Sequence, residues 1–235
     1  MRKIIKKILP TRALDYYSKL KYSARASKFK DSSTSDTFTQ IYSTNHWGNS
    51  ETVSGIGSTV QNAKNLIDAF DGILKKYAIE SVFDIPCGDF NWMQHIKLSD
   101  IQYTGADIVE ALVVGNTERH ADETTKFEIL DLIKDDLPQN DLVMVRDCFV
   151  HFSYDDIRKS IANLKRSKST YLFTTSFTKH QLNHDIVTGD WRPINLCKSP
   201  FNFPTPLLVI DEFCAPEYQS EFKGKSMALW QISDL

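Results

Sequence analysis

The sequence predicts an α/β domain, with a mainly parallel sheet, helices on both faces and an antiparallel hairpin at one edge. Three observations predict it. Short apolar runs alternate with helical stretches between residues 81 and 175, which implies parallel strands joined by crossover helices. Polar and acidic residues collect directly after those runs, on what becomes one rim of the sheet. Two later β-like runs, 206–212 and 227–232, lie close together and suit an antiparallel edge pair.

Taken in order, residues 1–9 read as a short basic amphipathic helix with Ile4, Ile5, Ile8 and Leu9 on its apolar face, ended by Pro10. A second helical pattern covers 11–24, and 31–36 (DSSTSD) read as a polar linker. The expected division is a helical N-terminal extension with its linker over 1–36 and one catalytic domain over 37–235. Ser58 and Gln61 have the spacing of a capping box. Behind them Val60, Ala63, Leu66, Ile67, Phe70, Ile73, Leu74 and Tyr77 recur at helical spacing. Five strands are expected at 81–85, 102–108, 126–130, 141–146 and 170–175, with helices at 90–97, 109–120 and 154–165 between them.

With 235 residues, 41% of them hydrophobic and 25% charged, the chain has the make-up of a globular protein whose single core needs no disulfide or metal. The net charge of −2 is unevenly spread. Residues 1–30 carry ten Lys or Arg against Asp15 alone, a charge of +9, which leaves −11 on the rest. An acidic body argues against nucleic acid as a partner. The basic arm, with its Ile/Leu face, makes contact with an anionic membrane a candidate role. Cys87, Cys148, Cys197 and Cys214 include no C-x-x-C pair, so a zinc site is not expected and a reducing cytoplasm is. His180 and His184 are four apart, but Gly189 and Pro193 favour a loop there, and no metal is expected. No apolar run approaches the ~18 residues that span a bilayer. The expected location is therefore the cytoplasm, with the inner face of the membrane as a candidate place within it.

The chemistry is expected at the carboxyl ends of the strands. Asp84-Ile85-Pro86-Cys87-Gly88-Asp89-Phe90 follows the first strand, Asp107 the second, Asp131 the third, and Arg146 and Asp147 the fourth, with His151 one helical turn on. Gly88 permits close backbone approach to a ligand. Asp107 lies near the ~20-residue offset at which a carboxylate reaches ribose hydroxyls. No G-x-G-x-x-G follows a strand, so a dinucleotide is disfavoured.

On these residues the chain resembles the class I S-adenosylmethionine-dependent methyltransferases. SVFDIPCGDFNWM is similar to their motif I, YTGADIV to motif II, FEILDL to motif III, and DLVMVRDCFVHF to the motif IV strand and loop. The resemblance covers roughly 80–176. It departs from the usual glycine-rich loop at Pro86 and Phe90. The segment from Trp47 to Ser58, W-G-N-S-E followed by S-G-I-G-S, resembles a loop in a subset of bacterial members associated with surface-glycan enzymes.

The resemblance implies a Rossmann-like fold and S-adenosylmethionine as cofactor, leaving as S-adenosylhomocysteine. It implies that Trp47, Asp84, Pro86, Cys87, Gly88, Asp107, Ile108, Asp131, Leu132 and Arg146 hold that cofactor. Asn91, Trp92 and Arg192 are expected to meet the substrate. The acceptor is expected to be an oxygen, on a sugar or sugar-linked group of surface polysaccharide. The alternatives are a small soluble metabolite as acceptor, or a non-catalytic subunit with this fold. His151 is the expected general base, with Asp147 orienting it or binding substrate. The plainer readings are a core histidine at 151, a helix cap at Asp84, core packing for Trp92 and Cys87, and an Arg146–Asp147 ion pair.

Overall fold

Strand faces alternate with a period of two, so a strand buried on both sides feeds two cores. A computed structural model, which describes residues 29–98, 100–212 and 222–235, has this arrangement. In β1 (Ser81–Asp84) Val82 enters one core and Phe83 the other. In β4 (Leu142–Val145) Leu142 and Met144 face one core, Val143 and Val145 the other. With β2 (Gln102–Asp107), β3 (Thr125–Ile129) and β5 (Tyr171–Phe177), they form five parallel strands. β7 (Lys225–Gln231) is antiparallel between β5 and β6 (Leu208–Asp211), giving the order β3-β2-β1-β4-β5-β7-β6. The expected mainly parallel sheet with its antiparallel edge pair is what forms. The chain leaves β1 toward β2 and β3, then returns to β4 on the other side, so a crevice opens over the ends of β1 and β4.

Helices cover both faces. On one, α2 (Val60–Lys76) buries Leu66, Phe70 and Ile73, and α3 (Glu110–His120) buries Val113. On the other, α4 (Tyr154–Arg166) buries Ile157 and Leu164. Each of these fully buried aliphatic or aromatic side chains contributes about 1.5–3 kcal/mol.

Three local expectations are corrected. The cap of α2 is Thr59, whose hydroxyl accepts from the Asn62 N–H at 3.3 Å, not Ser58. The first N–H of that helix, on Val60, is taken by Glu51 at 2.8 Å, so Ser58 is released to the site. Residues 31–36 are not a linker throughout, because Ser33 caps α1 (Thr34–Ser43) by accepting from the Asp36 N–H. Short polar residues suit a cap as well as a linker. The helix expected over 90–97 is only a single 3-10 turn, Met93–His95. Phe90 has φ 60°, which breaks helical continuation, and its ring turns away from the crevice to pack on Tyr103 and Phe127. The two helices read within 1–24 lie outside the described residues. No helix among the described residues is long and apolar enough to cross a membrane.

Candidate active site

A cavity occupies the crevice over β1, β2, β3 and β4. Its walls carry Asp84, Pro86, Cys87, Gly88, Asp107, Ile108, Asp131, Leu132 and Arg146 from the strand ends. Trp47, Ser54 and Ser58 line it from the loop before α2, and Phe38, Ile41 and Tyr42 from α1. Trp92, Asp147 and His151 complete it.

The Asp107 carboxylate is held by main-chain donors, accepting from Gly88 N–H at 3.1 Å and Val109 N–H at 3.0 Å. Each of its oxygens keeps a second acceptor position. Burial raises its pKa to about 6, partly offset by those N–H donors. Burial also raises Asp84 to about 7, against the Tyr103 hydroxyl that donates to it at 2.7 Å. Asp131 accepts from the Ile133 N–H at 2.8 Å. Gly88 has φ 58°, and a Cβ there would run into Ser54 Oγ, so both its conformation and its packing demand glycine. Burial pushes the Cys87 thiol well above its ordinary pKa, which suits packing and not nucleophilic attack.

The loop from Trp47 to Ser58 is strapped across the cavity. Asp89 receives three bonds from it, from Thr52 Oγ1, the Val53 N–H and Ser54 Oγ, at 2.9, 3.0 and 3.1 Å. Asn91 donates to Glu51 Oε1 at 2.8 Å and to Ser58 O at 3.1 Å. One loop thus ties itself to the turn that follows β1.

A buried charge cluster forms the floor. Arg146 pairs with Glu212 at 2.5 Å, donates to Ser58 Oγ and Gly57 O, and lies 5.0 Å over the Trp92 ring. Lys225 pairs with Asp147 at 2.6 Å and with Glu212 at 3.1 Å. Burial alone would raise the Asp147 carboxyl, but Lys225 and Arg146 outweigh it and hold it near 2. A Cβ on Gly57 would lie 2.8 Å from Asp147 and 2.9 Å from Lys225, so that glycine lets the strap close on the cluster.

His151 stands against Trp47 with ring centroids 4.6 Å apart. Its Nδ1 donates to the Asp190 carbonyl at 2.9 Å. Burial lowers its pKa to about 4, so the ring is neutral at physiological pH.

Solved structures share this architecture. Human N-acetylserotonin methyltransferase, crystallised in complex with SAM, aligns with TM-score 0.51 and 13% identity over 72% of this chain and 51% of that one. This chain therefore spans about half the length of the human protein. The N-methyltransferase NodS from Bradyrhizobium japonicum WM9 aligns with TM-score 0.51 and 9% identity, over 75% of this chain and 98% of that one. The methyltransferase domain of bacterial CtHen1 aligns with TM-score 0.50 and 11% identity, over 72% and 99%. The fold is that of the class I methyltransferases. No protein-family model matches the chain, and no curated protein does.

On this class I methyltransferase fold, ten residues read as cofactor-holding line one cavity, together with Trp92, Asp147 and His151. Two expected substrate residues do not line it. Asn91 is spent on Glu51 and Ser58. Arg192 is fully buried, its guanidinium consumed by the carbonyls of Phe149, Phe152 and His184. Asp147 does not orient His151, because its carboxylate is committed to Lys225 and Arg146. The orienting acceptor is the carbonyl of Asp190. Sequence reasoning missed Glu51, Asp89, Glu212 and Lys225. The first two lie inside the segments already singled out, Glu212 is the last residue of the run 206–212, and Lys225 lies just before the run 227–232.

Proposed function

We propose that the protein transfers a methyl group from S-adenosylmethionine to an oxygen acceptor. The observation that carries this reading is the row Asp84, Asp107 and Asp131, set at three successive strand ends around one cavity whose other wall holds His151. The residues present suit the cofactor. Asp107 is pre-oriented by two main-chain N–H groups and has acceptor positions for a pair of ribose hydroxyls. Gly88, at φ 58°, lets the main chain turn so that its N–H reaches Asp107 while Ser54 packs against it.

Bound S-adenosylmethionine supplies a methyl group made electrophilic by its sulfonium. The chain's own contribution is alignment and water exclusion by the Trp47–Ser58 strap and the α1 wall. His151 accepts the acceptor's hydroxyl proton at Nε2, since its Nδ1 already donates to Asp190. The finer reading is a sugar or sugar-linked acceptor in surface polysaccharide. Phe38, Tyr42 and Phe152 support it as flat apolar walls that suit a ring's C–H faces. Native glycan from cells lacking the protein should be lighter by about 14 mass units, the CH₂ of one methylation. Unchanged glycan mass removes that acceptor.

Asp107→Ala should weaken S-adenosylhomocysteine binding by about 1–3 kcal/mol, the cost of hydroxyls left without their acceptor. The ionised carboxylate is the acceptor, so wild-type affinity should rise through pH 6, where Asp107 ionises, and fall steadily as pH drops below it. Titration calorimetry across pH 5–8 reads both, and an affinity indifferent to Asp107→Ala removes that residue from the site.

The proposal extends to location: the protein works in the cytoplasm, and the basic residues of 1–30 attach it reversibly to anionic lipid at the inner membrane face. Replacing Arg2, Lys3, Lys6 and Lys7 by glutamine should reduce sedimentation with phosphatidylserine vesicles. Equal sedimentation of the two proteins would sink the idea.

A further inference from the structure

The turn Phe149–His151 that carries the proposed base is gripped from one side by Gly189, Asp190 and Arg192. Gly189 N–H donates to His151 O at 2.9 Å and Arg192 N–H to Val150 O at 3.0 Å. The Arg192 guanidinium donates through Nη1 to Phe149 O at 2.6 Å and through Nη2 to Phe152 O at 2.7 Å. Four consecutive carbonyls, 149 to 152, are thereby satisfied from the segment 189–192. The same segment returns a carbonyl, that of Asp190, to His151 Nδ1 at 2.9 Å. A carbonyl oxygen only accepts. Nδ1 therefore carries the ring proton, and Nε2 keeps its lone pair.

We propose that Arg192 is a positioning residue: with the segment Gly189–Arg192 it holds His151 in the Nδ1–H tautomer, leaving Nε2 as the nitrogen offered to the cavity. Only the catalytic consequence rests on the methyl-transfer reading, since the ring's tautomer is a property of the folded chain.

The chemistry of arginine suits this task. Its planar fork reaches two carbonyls at once, while a third donor, Nε, reaches His184 O at 3.1 Å. The Tyr154 ring lies 5.6 Å from the guanidinium carbon and shields its charge. Burial lowers the guanidinium to about 10, which still leaves it charged at neutral pH. Around the imidazole stand Asp147, Arg192 and His46 as ionisable neighbours and the Trp47 ring as an apolar one. Burial is the largest influence among these and keeps the ring neutral.

The experiment is ¹⁵N–¹H NMR of the full chain labelled at histidine, read for His151 between pH 5 and 8. Wild type should show an unprotonated Nε2 and a protonated Nδ1 throughout, with no titration near 6.5. Arg192→Met, which keeps length but no donor, should populate both tautomers and move the titration up toward the usual histidine range. Turnover in that variant should fall by up to about 100-fold, the scale of a misplaced catalytic group, with cofactor affinity unchanged. Arg192→Lys, with its charge but no fork, should fall between the two. A wild-type His151 protonated at Nε2 overturns the proposal. So does a folded Arg192→Met with the wild-type His151 signature. If Arg192→Met does not fold, Arg192→Lys decides, and a folded Arg192→Lys with the wild-type His151 titration and turnover overturns the proposal. Loss of every methyl-transfer activity alongside an intact Nδ1–H signature counts against the enzymatic reading and leaves the clamp standing.

Discussion

Replacing His151 by alanine is expected to lower turnover by about 10²-fold, the low end for a lost general base, since a ring held near 4 is a weaker base than an ordinary histidine. A sugar hydroxyl is a poor nucleophile, and its proton must leave as the methyl arrives. His151 is neutral at physiological pH, is tied through Nδ1 to a carbonyl, and lines the cavity beside Trp47. Cofactor affinity should stay near wild type, because Asp107 and Gly88 lie on another part of the wall. The pH profile carries a second signature. A ring held near 4 stays a base from pH 5 upward, so kcat should lack the inflection near 6.5 that an ordinary histidine gives. Folded His151→Ala with wild-type turnover leaves alignment alone to explain the rate. Lost cofactor binding or a collapsed melt points to a core histidine.

Replacing Arg146 by methionine is expected to destabilise the fold by about 3 kcal/mol, the low end for breaking a buried pair from one side. Glu212 would keep Lys225 at 3.1 Å but lose the guanidinium that pairs with it at 2.5 Å. Ser58 and Gly57 would lose the same donor, which loosens the strap. The double variant Arg146→Met, Glu212→Gln should recover part of the loss, because no buried carboxylate is then left short of a partner. Urea melts of the four proteins in that cycle measure the coupling. Additive losses would mean that the pair is energetically idle.

The strands and the acid row were legible because both follow from local rules. A short β-like run with an Asp at its carboxyl end needs nothing distant to be recognised, and Asp84, Asp107 and Asp131 each stand at the end of such a run. The cluster on the floor was not legible. Lys225 reaches Asp147 only because β7 inserts between β5 and β6, a pairing made 78 residues along the chain. In sequence Asp147 points to its near neighbour His151, but the distant Lys225 takes its carboxylate. Arg192 is hidden in the sequence for a related reason. In sequence it is a charged residue in a loop, suited to a substrate, and only the fold supplies carbonyls enough to bury it. The capping box failed more narrowly. Ser58 and Thr59 are both good caps, and Glu51, in the loop before the helix, and Arg146, remote in sequence, decide between them.

The central claim is that the cavity over β1 and β4 is built for S-adenosylmethionine. Titration calorimetry of the full chain with S-adenosylhomocysteine, and separately with NAD, tests it most directly. The account predicts saturable one-to-one binding of S-adenosylhomocysteine, weakened in Asp107→Ala, and no binding of NAD. No heat with S-adenosylhomocysteine, or tight binding of NAD in its place, would contradict it.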